Sequence, residues 1–304
     1  MRNSVINKIK GYNSLAGYFF IAPVVLLMTV FLIYPTIYSF ILSFKEFSFF
    51  SPADSKWVGL GNYVTLFRDP EFLQAFKNTF VLVLTVVPIS TVLALVMAVL
   101  VNSKVKGKTF FRVSFFLPNV TSTVAIGTIL GFLFRKDSFI VLFFAKLFGF
   151  ENISWFADVH LALPLVIIAM IFTFSGFYMI IYLAGLQEIS KDYYEAADID
   201  GAGKVRQFLK ITVPLLKNTH FLVIMMLVIN TFQIFDQPYV ISTFGNSSIP
   251  GGPAGSTMTL VMFLYTRAFN YFEMGYASAA AFVLFAVIFI FTIVQKRFFD
   301  LKEK

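Results

Sequence analysis

Cysteine is absent from this chain of 304 residues, and histidine occurs only twice. Without cysteine the chain can form neither a disulfide nor a thiolate metal site. His160 and His220 lie far apart in the sequence, so a histidine-based metal cluster is not expected. The sequence also lacks the G-x-x-x-x-G-K-[ST] motif, so any ATP that the protein uses must be hydrolysed by another chain.

Charge is also scarce, since 13% of the residues are charged and 58% are hydrophobic. Soluble domains carry about 25% charged residues, and about 20 consecutive apolar residues can cross a bilayer as a helix. The first apolar run is too long for a cleavable signal peptide, so we expect it to remain as a span. The composition predicts an all-α integral membrane protein with six transmembrane helices, at about 15–44, 78–102, 113–134, 161–186, 218–240 and 277–295. We expect a short interfacial helix in the Phe-rich gap at 135–160.

The positive charges are distributed unevenly among the segments outside these spans. Of the 24 lysines and arginines, 16 lie at the two termini and in the gaps after the second and fourth spans. The positive-inside rule then places both termini and the loop 187–217 in the cytoplasm, and the Gly/Pro-rich segment 244–256 outside. The net charge of +8 fits this orientation better than a nucleic-acid surface. The predicted layout is a cytoplasmic N-terminus (1–14), a transmembrane domain (15–295) and a cytoplasmic C-terminus (296–304).

The loop 187–217 contains the most specific pattern in the sequence. Its periodicity predicts two short helices separated by Gly201, which with Gly203 permits a tight turn. Two adjacent alanines, Ala196 and Ala197, leave a shallow face that can enter a groove on a partner, and Glu195 places a charge beside it. Pro214 is expected to kink the junction with the fifth span. The alternative interpretation is a solvated loop with an interfacial helix.

The Glu-Ala-Ala triplet at 195–197, with Gly201, Ile211 and Pro214, resembles the EAA signature of permease subunits of ATP-binding-cassette (ABC) importers. The segments 194–202, 232–236 and 275–279 are similar to the maltose and glycerol-phosphate branch. The sequence departs from the signature only at Val213 and Ser190. The resemblance implies a type I importer permease of MetI-like architecture. It also implies that 190–203 couples to an ATPase through Tyr194, Glu195, Ala196, Ala197, Asp200, Gly201, Gly203 and Pro214.

The resemblance further implies a transporter subunit of the bacterial cell membrane that performs no chemistry of its own. Its expected partners are a second, homologous permease, a cytoplasmic ATPase dimer that binds ATP and Mg, and an extracytoplasmic solute-binding protein. No cofactor and no metal are expected in this chain, and no nucleic acid is expected as a partner.

Polar residues in the predicted fifth span are candidates for a substrate path. Asn230, Gln233 and Gln237 share a face of a continuous helix, with Asp236 beside them and Tyr239 among the interleaved aromatics. Amides and a carboxylate can bind sugar hydroxyls, and aromatic rings can pack on a pyranose. In the alternative interpretation, Asn230 and Gln233 join helices and Asp236 lies in the outer interface.

Two other functions remain open from the residues alone. An ion-coupled secondary transporter would require inverted repeats and ionisable residues at mid-membrane, where Asp236 is the only nearby carboxylate. An intramembrane enzyme would require paired carboxylates, a histidine cluster or a Ser/Lys dyad within the spans, and none is evident.

Overall fold

The computed structural model describes residues 17–50, 55–103, 107–149, 154–244 and 250–300. In these ranges the regular structure is helical apart from the antiparallel two-residue strands β1 (Lys45–Glu46) and β2 (Lys56–Trp57), in which Lys45 pairs with Trp57. Short helical turns also occur at Trp155–Ala157, Pro253–Gly255 and Thr266–Asn270. The helices are α1 (Gly17–Leu42), α2 (Gly61–Leu66), α3 (Pro70–Asn102), α4 (Lys108–Val120), α5 (Thr123–Leu133), α6 (Phe139–Phe148), α7 (Ala162–Glu188), α8 (Asp192–Ile199), α9 (Lys204–Leu215), α10 (Lys217–Phe232), α11 (Asp236–Phe244), α12 (Leu260–Tyr265) and α13 (Met274–Asp300).

Four of these helices are long and apolar enough to cross a membrane: α1, α3, α7 and α13. Two bent pairs, α4 with α5 and α9 with α10, raise the number to six if each pair counts as one span. The all-α membrane fold is therefore confirmed. The predicted third span is not straight, because α4 and α5 meet at 98°. Thr121 and Ser122 cause the bend, since both have extended backbone and interrupt the helix.

The predicted continuous helix over 218–240 is wrong, because α10 ends at Phe232 and α11 begins at Asp236. Proline explains the position of the break. Pro238 has no N–H to donate to the carbonyl of Ile234 four residues earlier, which therefore loses its helical partner. That carbonyl instead accepts a hydrogen bond of 3.1 Å from the hydroxyl of Thr259, the residue that caps the N-terminus of α12.

The core forms where α3 and α7 pack along each other and α10 packs against both. Asp69 caps α3 by accepting from the Glu71 amide, and Pro70 takes the first helical position, where its missing N–H costs nothing. The largest fully buried side chains include Tyr178, Tyr182, Phe72, Phe232 and Phe263.

The Gly/Pro-rich loop also packs on α3. The side chain of Asn78 donates to the carbonyls of Gly255 and Met258, at 2.9 and 3.0 Å. These bonds hold the described part of the loop against the membrane helix. The remaining residues of the predicted segment, 245–249, lie outside the described residues.

An ion cluster lies at the N-terminal end of α3, opposite to the loop that follows α7. Arg267 contacts the carboxylates of Asp69, Glu71 and Glu273 at 3.0, 2.8 and 3.3 Å. The Tyr276 hydroxyl donates to Asp69 at 2.9 Å. The cluster thus joins the start of α3 to the π-helical turn Thr266–Asn270, which follows α12, and to the start of α13.

Candidate coupling loop and substrate path

The loop after α7 contains the two predicted short helices, α8 and the first turns of α9. Helix α8 ends in a Schellman motif around Gly201, whose φ is +72°. The Ala202 amide donates to the Ala197 carbonyl and the Gly201 amide to the Asp198 carbonyl, at 2.9 and 3.1 Å. Glycine is favoured at 201 because this left-handed backbone is strained for other residues. Gly203 has an ordinary φ of −64°, so the turn does not need glycine there for its backbone.

A polar network supports the turn from inside. Gln207 is only 2% exposed, and its side-chain amide donates to the Asp198 carboxylate and to the Ala202 carbonyl. Lys204 contacts the same carboxylate at 3.0 Å. Hydrogen bonds from Gln207 and Lys204 hold the pKa of the Asp198 carboxyl below its usual value. The pairing of Asp198 with Gln207 is not evident from the sequence, because nine positions separate them and only the turn brings them together.

The predicted alanine face is only half open. Ala196 is exposed, whereas Ala197 is 9% exposed and packs within the chain. The expectation that both alanines together form an open face is therefore wrong for this subunit. Tyr194, one turn before Ala197 on α8, contacts Thr212 of α9 at 2.9 Å, so this side of α8 faces the rest of the subunit.

The outer side of the loop presents Glu195, Asp200, Gly201 and Gly203, all of which are exposed. Beside them, several apolar side chains on this loop are open: Ile199 is 88% exposed and Val205 75%, and Tyr193 is also exposed. A Cβ added at Gly201 or at Gly203 would meet no atom within 4 Å. A small, partly apolar surface with a charge at its edge is thus available on α8 and its turn.

The other end of the loop is joined to the membrane helices. The Tyr194 hydroxyl lies 2.9 Å from Oγ1 of the buried Thr212. A π-helical turn over Phe208–Thr212 precedes Pro214, and the chain then bends by 70° between α9 and α10. The kink predicted near Pro214 is present, and it falls at Leu216.

The candidate substrate-path residues are not equivalent. Asn230 is exposed, and its amide donates to the buried Tyr178 hydroxyl at 2.8 Å, so it also joins α10 to α7. Gln237 is buried and donates to Thr173 at 3.1 Å, while Gln233 and Asp236 are exposed at the break between α10 and α11. The prediction that Asn230, Gln233 and Gln237 share one face of a continuous helix is therefore wrong, because the helix is interrupted between Phe232 and Asp236.

Aromatic rings gather beside the exposed break. Phe235 stacks on Tyr239 with ring centroids 5.1 Å apart and contacts Tyr265 at 5.0 Å, and Tyr265 contacts Phe269 at 5.1 Å. Phe235, Tyr265 and Phe269 line an open groove of about 500 Å³ between α12 and α13. Tyr239 is among the residues predicted for the path, whereas Tyr265 and Phe269 are not, since they lie in α12 and in the π-helical turn that follows it.

The described ranges contain no group of three His, Asp or Glu side chains placed to hold a metal ion. The features that remain are a membrane bundle, an exposed helical loop at one end and a polar break between α10 and α11.

Residues 90–300 match the family model described as "Binding-protein-dependent transport system inner membrane component". The chain is 36% identical to the probable ABC transporter permease protein YesP of Bacillus subtilis, over 93% of this chain and 89% of YesP. It is 33% identical to the lactose transport system permease protein LacF of Rhizobium radiobacter, over 98% of both chains. It is 35% identical to the arabinooligosaccharides transport system permease protein AraP of Bacillus subtilis, over 92% of this chain and 87% of AraP.

The fold is similar to a chain of a crystal structure of a bacterial ABC transporter involved in the import of the acidic polysaccharide alginate. The TM-score is 0.82 at 19% identity, and the match covers 99% of this chain and 100% of that one. The chain belongs to the family of binding-protein-dependent transport system inner membrane components. It is a permease subunit of an ABC transporter with the MetI-like type I importer fold, and it is not itself an enzyme.

Proposed function

We propose that this chain is a permease subunit of an ATP-driven sugar importer, in which it forms the translocation path with a second permease. The observation that carries the proposal is the capped helix α8, which presents Glu195 and Ala196 on an exposed surface outside the membrane spans. Relatives named for lactose and arabinooligosaccharide transport support a sugar as the solute.

Coupling to a separate ATPase is assigned to the surface of α8 and its turn. A partner groove can accept the exposed Ala196 because its side chain is small, and Ile199 and Val205 offer apolar area that binding would remove from water. Glu195 supplies an ionic contact at the edge. The ATPase dimer, with its ATP and Mg, would then move α8 as one unit, because the Gly201 cap and the Gln207 network hold the loop together.

The orientation of the subunit follows from the positive-inside rule. Because the loop 187–217 and both termini are rich in lysine and arginine, we infer that α8 and both termini lie in the cytoplasm and the Arg267 cluster lies on the outer side. An extracytoplasmic solute-binding protein would meet the outer side. A related alginate transporter, similar to this chain in fold, has been crystallised in complex with an alginate pentasaccharide-bound periplasmic protein.

Sugar is expected to pass the break between α10 and α11. Gln233 and Asp236 are exposed there and can bind hydroxyl groups, while Tyr239 stands beside Phe235 and Tyr265 in an aromatic cluster suited to the apolar face of a pyranose. Asn230 contributes indirectly, because its bond to Tyr178 sets the position of α10.

Reconstitution tests the proposed function. The chain is placed in proteoliposomes with its second permease and ATPase, the solute-binding protein is added outside, and labelled lactose and arabinooligosaccharides are tested for uptake. We expect accumulation with ATP inside and none with a non-hydrolysable analogue. Accumulation that follows an ion gradient without ATP would instead favour a secondary transporter.

A further inference from the structure

One polar contact joins the two helices that enter and leave the coupling loop. The hydroxyl of Tyr182 on α7 and Nδ1 of His220 on α10 form a hydrogen bond of 2.8 Å, and their ring centroids lie 5.2 Å apart. Tyr182 has no exposed surface. The residues between this pair comprise the whole loop 187–217, so the contact closes the base of the loop.

The position at which α7 and α10 cross is also fixed by a close approach of the two helices. A Cβ added at Gly185 would lie 2.4 Å from Oγ1 of Thr219 and 3.1 Å from Cδ2 of Leu216. Leu216 is the buried residue at which the chain bends by 70° between α9 and α10. The His220 amide donates to the Leu216 carbonyl at 2.7 Å, so the histidine is also bonded to the bend itself.

The contact is directional, whereas its surroundings are mostly apolar. Tyr182 belongs to the main hydrophobic core, and it has no exposed surface. Inside a core, a hydroxyl that loses its partner pays the cost of desolvation without compensation. The pair therefore favours one crossing geometry of α7 and α10 over others that apolar packing alone would permit.

The C-terminal end of α10 is also joined to α7 by a hydrogen bond to a tyrosine. Tyr178, one turn before Tyr182 on α7, accepts the hydrogen bond from Asn230, three residues before Gln233. Two tyrosines of one helix thus hold both ends of α10. This helix runs from the bend at the coupling loop to the break with the candidate sugar-binding residues, so a displacement of the loop can reach the break through it.

We propose that Tyr182 and His220 are positioning residues for energy coupling, whose hydrogen bond transmits the movement of the coupling loop into α10. This inference rests on the proposed coupling function of α8. It assigns no contact with sugar or ATP to either residue. It predicts that weakening the bond separates ATP hydrolysis from uptake while the complex stays assembled.

The test measures uptake and ATP hydrolysis in the same proteoliposomes for Tyr182→Phe and His220→Leu, with co-purification of the ATPase and thermal stability as controls. We expect the number of ATP molecules hydrolysed per sugar imported to rise about 2- to 12-fold, which corresponds to one hydrogen bond of about 0.5–1.5 kcal/mol. His220→Asn keeps a polar atom near the position of Nδ1 and is expected to restore coupling. The double variant is expected to resemble the single variants.

Ala196→Trp separates failure of this inference from failure of the proposed function. If Ala196→Trp uncouples transport while Tyr182→Phe and His220→Leu keep the wild-type ratio, the positioning inference is overturned and the coupling loop stands. If Ala196→Trp also has no effect, the coupling function itself is overturned. A loss of assembly in parallel with uptake, unrelieved by His220→Asn, would reduce the pair to a structural contact and overturn the inference.

Discussion

The side-chain amide of Gln207 reaches across the Gly201 turn and donates to the carboxylate of Asp198, so the two helices of the coupling loop form one unit. The same amide donates to the Ala202 carbonyl at 2.9 Å. Gln207 is almost completely buried although it lies on a polar loop, because the turn encloses it. Because these hydrogen bonds hold the two helices together, a displacement of α8 would move the whole loop, whereas a flexible loop would deform.

We expect Gln207→Ala to loosen the turn. The hydrogen bond to Ala202 alone contributes about 0.5–1.5 kcal/mol, and its loss leaves a carbonyl without its partner. Hydrogen exchange of the amides between 198 and 207 should become faster, while exchange in α3 stays unchanged. Lys204→Met is the matched control, because exposed ion pairs contribute little, and it should have a smaller effect. Equal effects of the two changes would contradict a central role for Gln207.

The stability of the same turn is expected to depend on pH through the carboxyl of Asp198. Hydrogen bonds from Gln207 and Lys204 lower its pKa in the folded protein. A lowered pKa contributes stability that is present above the unfolded-state value, about 3.9, and is lost as the pH falls through the folded-state value. Exchange of the loop amides, corrected for the intrinsic rate, should therefore accelerate below about pH 4. In Asp198→Asn this acid-induced acceleration should disappear.

The two glycines of the turn offer a matched comparison. Gly201 has a left-handed backbone and Gly203 does not, while a Cβ at either position would meet open space. Gly201→Ala should therefore destabilise the turn by about 1–2 kcal/mol, and Gly203→Ala should be nearly neutral. Loop hydrogen exchange and ATPase co-purification measure both changes. A larger effect of Gly203→Ala would show that glycine is needed at these positions for contact with a partner and not for its backbone conformation.

The two glutamines near the break should respond differently to truncation. Gln233→Ala should lower uptake at subsaturating sugar without reducing assembly, because an exposed amide contributes one or two hydrogen bonds to the sugar, each about 0.5–1.5 kcal/mol. Gln237→Ala should lower thermal stability instead, since the buried Gln237 donates to Thr173. Unchanged uptake in Gln233→Ala would show that Gln233 does not bind the sugar.

Thiol labelling tests the orientation. The chain has no native cysteine, so single-cysteine variants have no background. Ser103→Cys, at the exposed end of α3 near the coupling loop, should resist a membrane-impermeant reagent in intact cells. Ser248→Cys should react. Ser248 lies outside the described residues, and this half of the prediction rests on the distribution of lysine and arginine. The opposite labelling pattern would invert the topology.

Much of the architecture could be predicted from local patterns. Long apolar runs require helices in a membrane, and Gly201 between two periodic segments requires a turn, so the bundle and the paired short helices were predictable. The break after Phe232 is not evident from periodicity, because Gln233 and Gln237 alternate with apolar residues and fit the polar face of a continuous helix. Pro238 marked the position, but its consequence depends on Thr259, a residue distant in sequence whose hydroxyl satisfies the freed carbonyl.

Other features depend on contacts that the sequence does not display. Ala196 and Ala197 are identical neighbours, yet only Ala197 is buried in the subunit. Likewise Arg267 lies almost 200 positions from Asp69 and still forms an ion pair with it. Periodicity identifies residues that share a helix face, but burial and pairing between helices are set by the tertiary packing.

The burial of Ala197 changes the best substitution for testing the coupling surface. Ala197→Trp would overpack the subunit itself, at a cost of about 1–3 kcal/mol, and should lower its level in the membrane. Ala196→Trp adds bulk only at the exposed surface. The subunit carrying Ala196→Trp should therefore insert normally, which makes this variant informative about the partner.

The central claim is that the exposed side of α8 couples this subunit to an ATPase. The most direct measurement compares membrane level, ATPase co-purification and ATP-driven sugar uptake for wild type, Ala196→Trp and Gly201→Asp. We predict normal membrane levels for both variants, with ATPase association lost or ATP hydrolysis that no longer drives uptake. Normal uptake in both variants would contradict the claim.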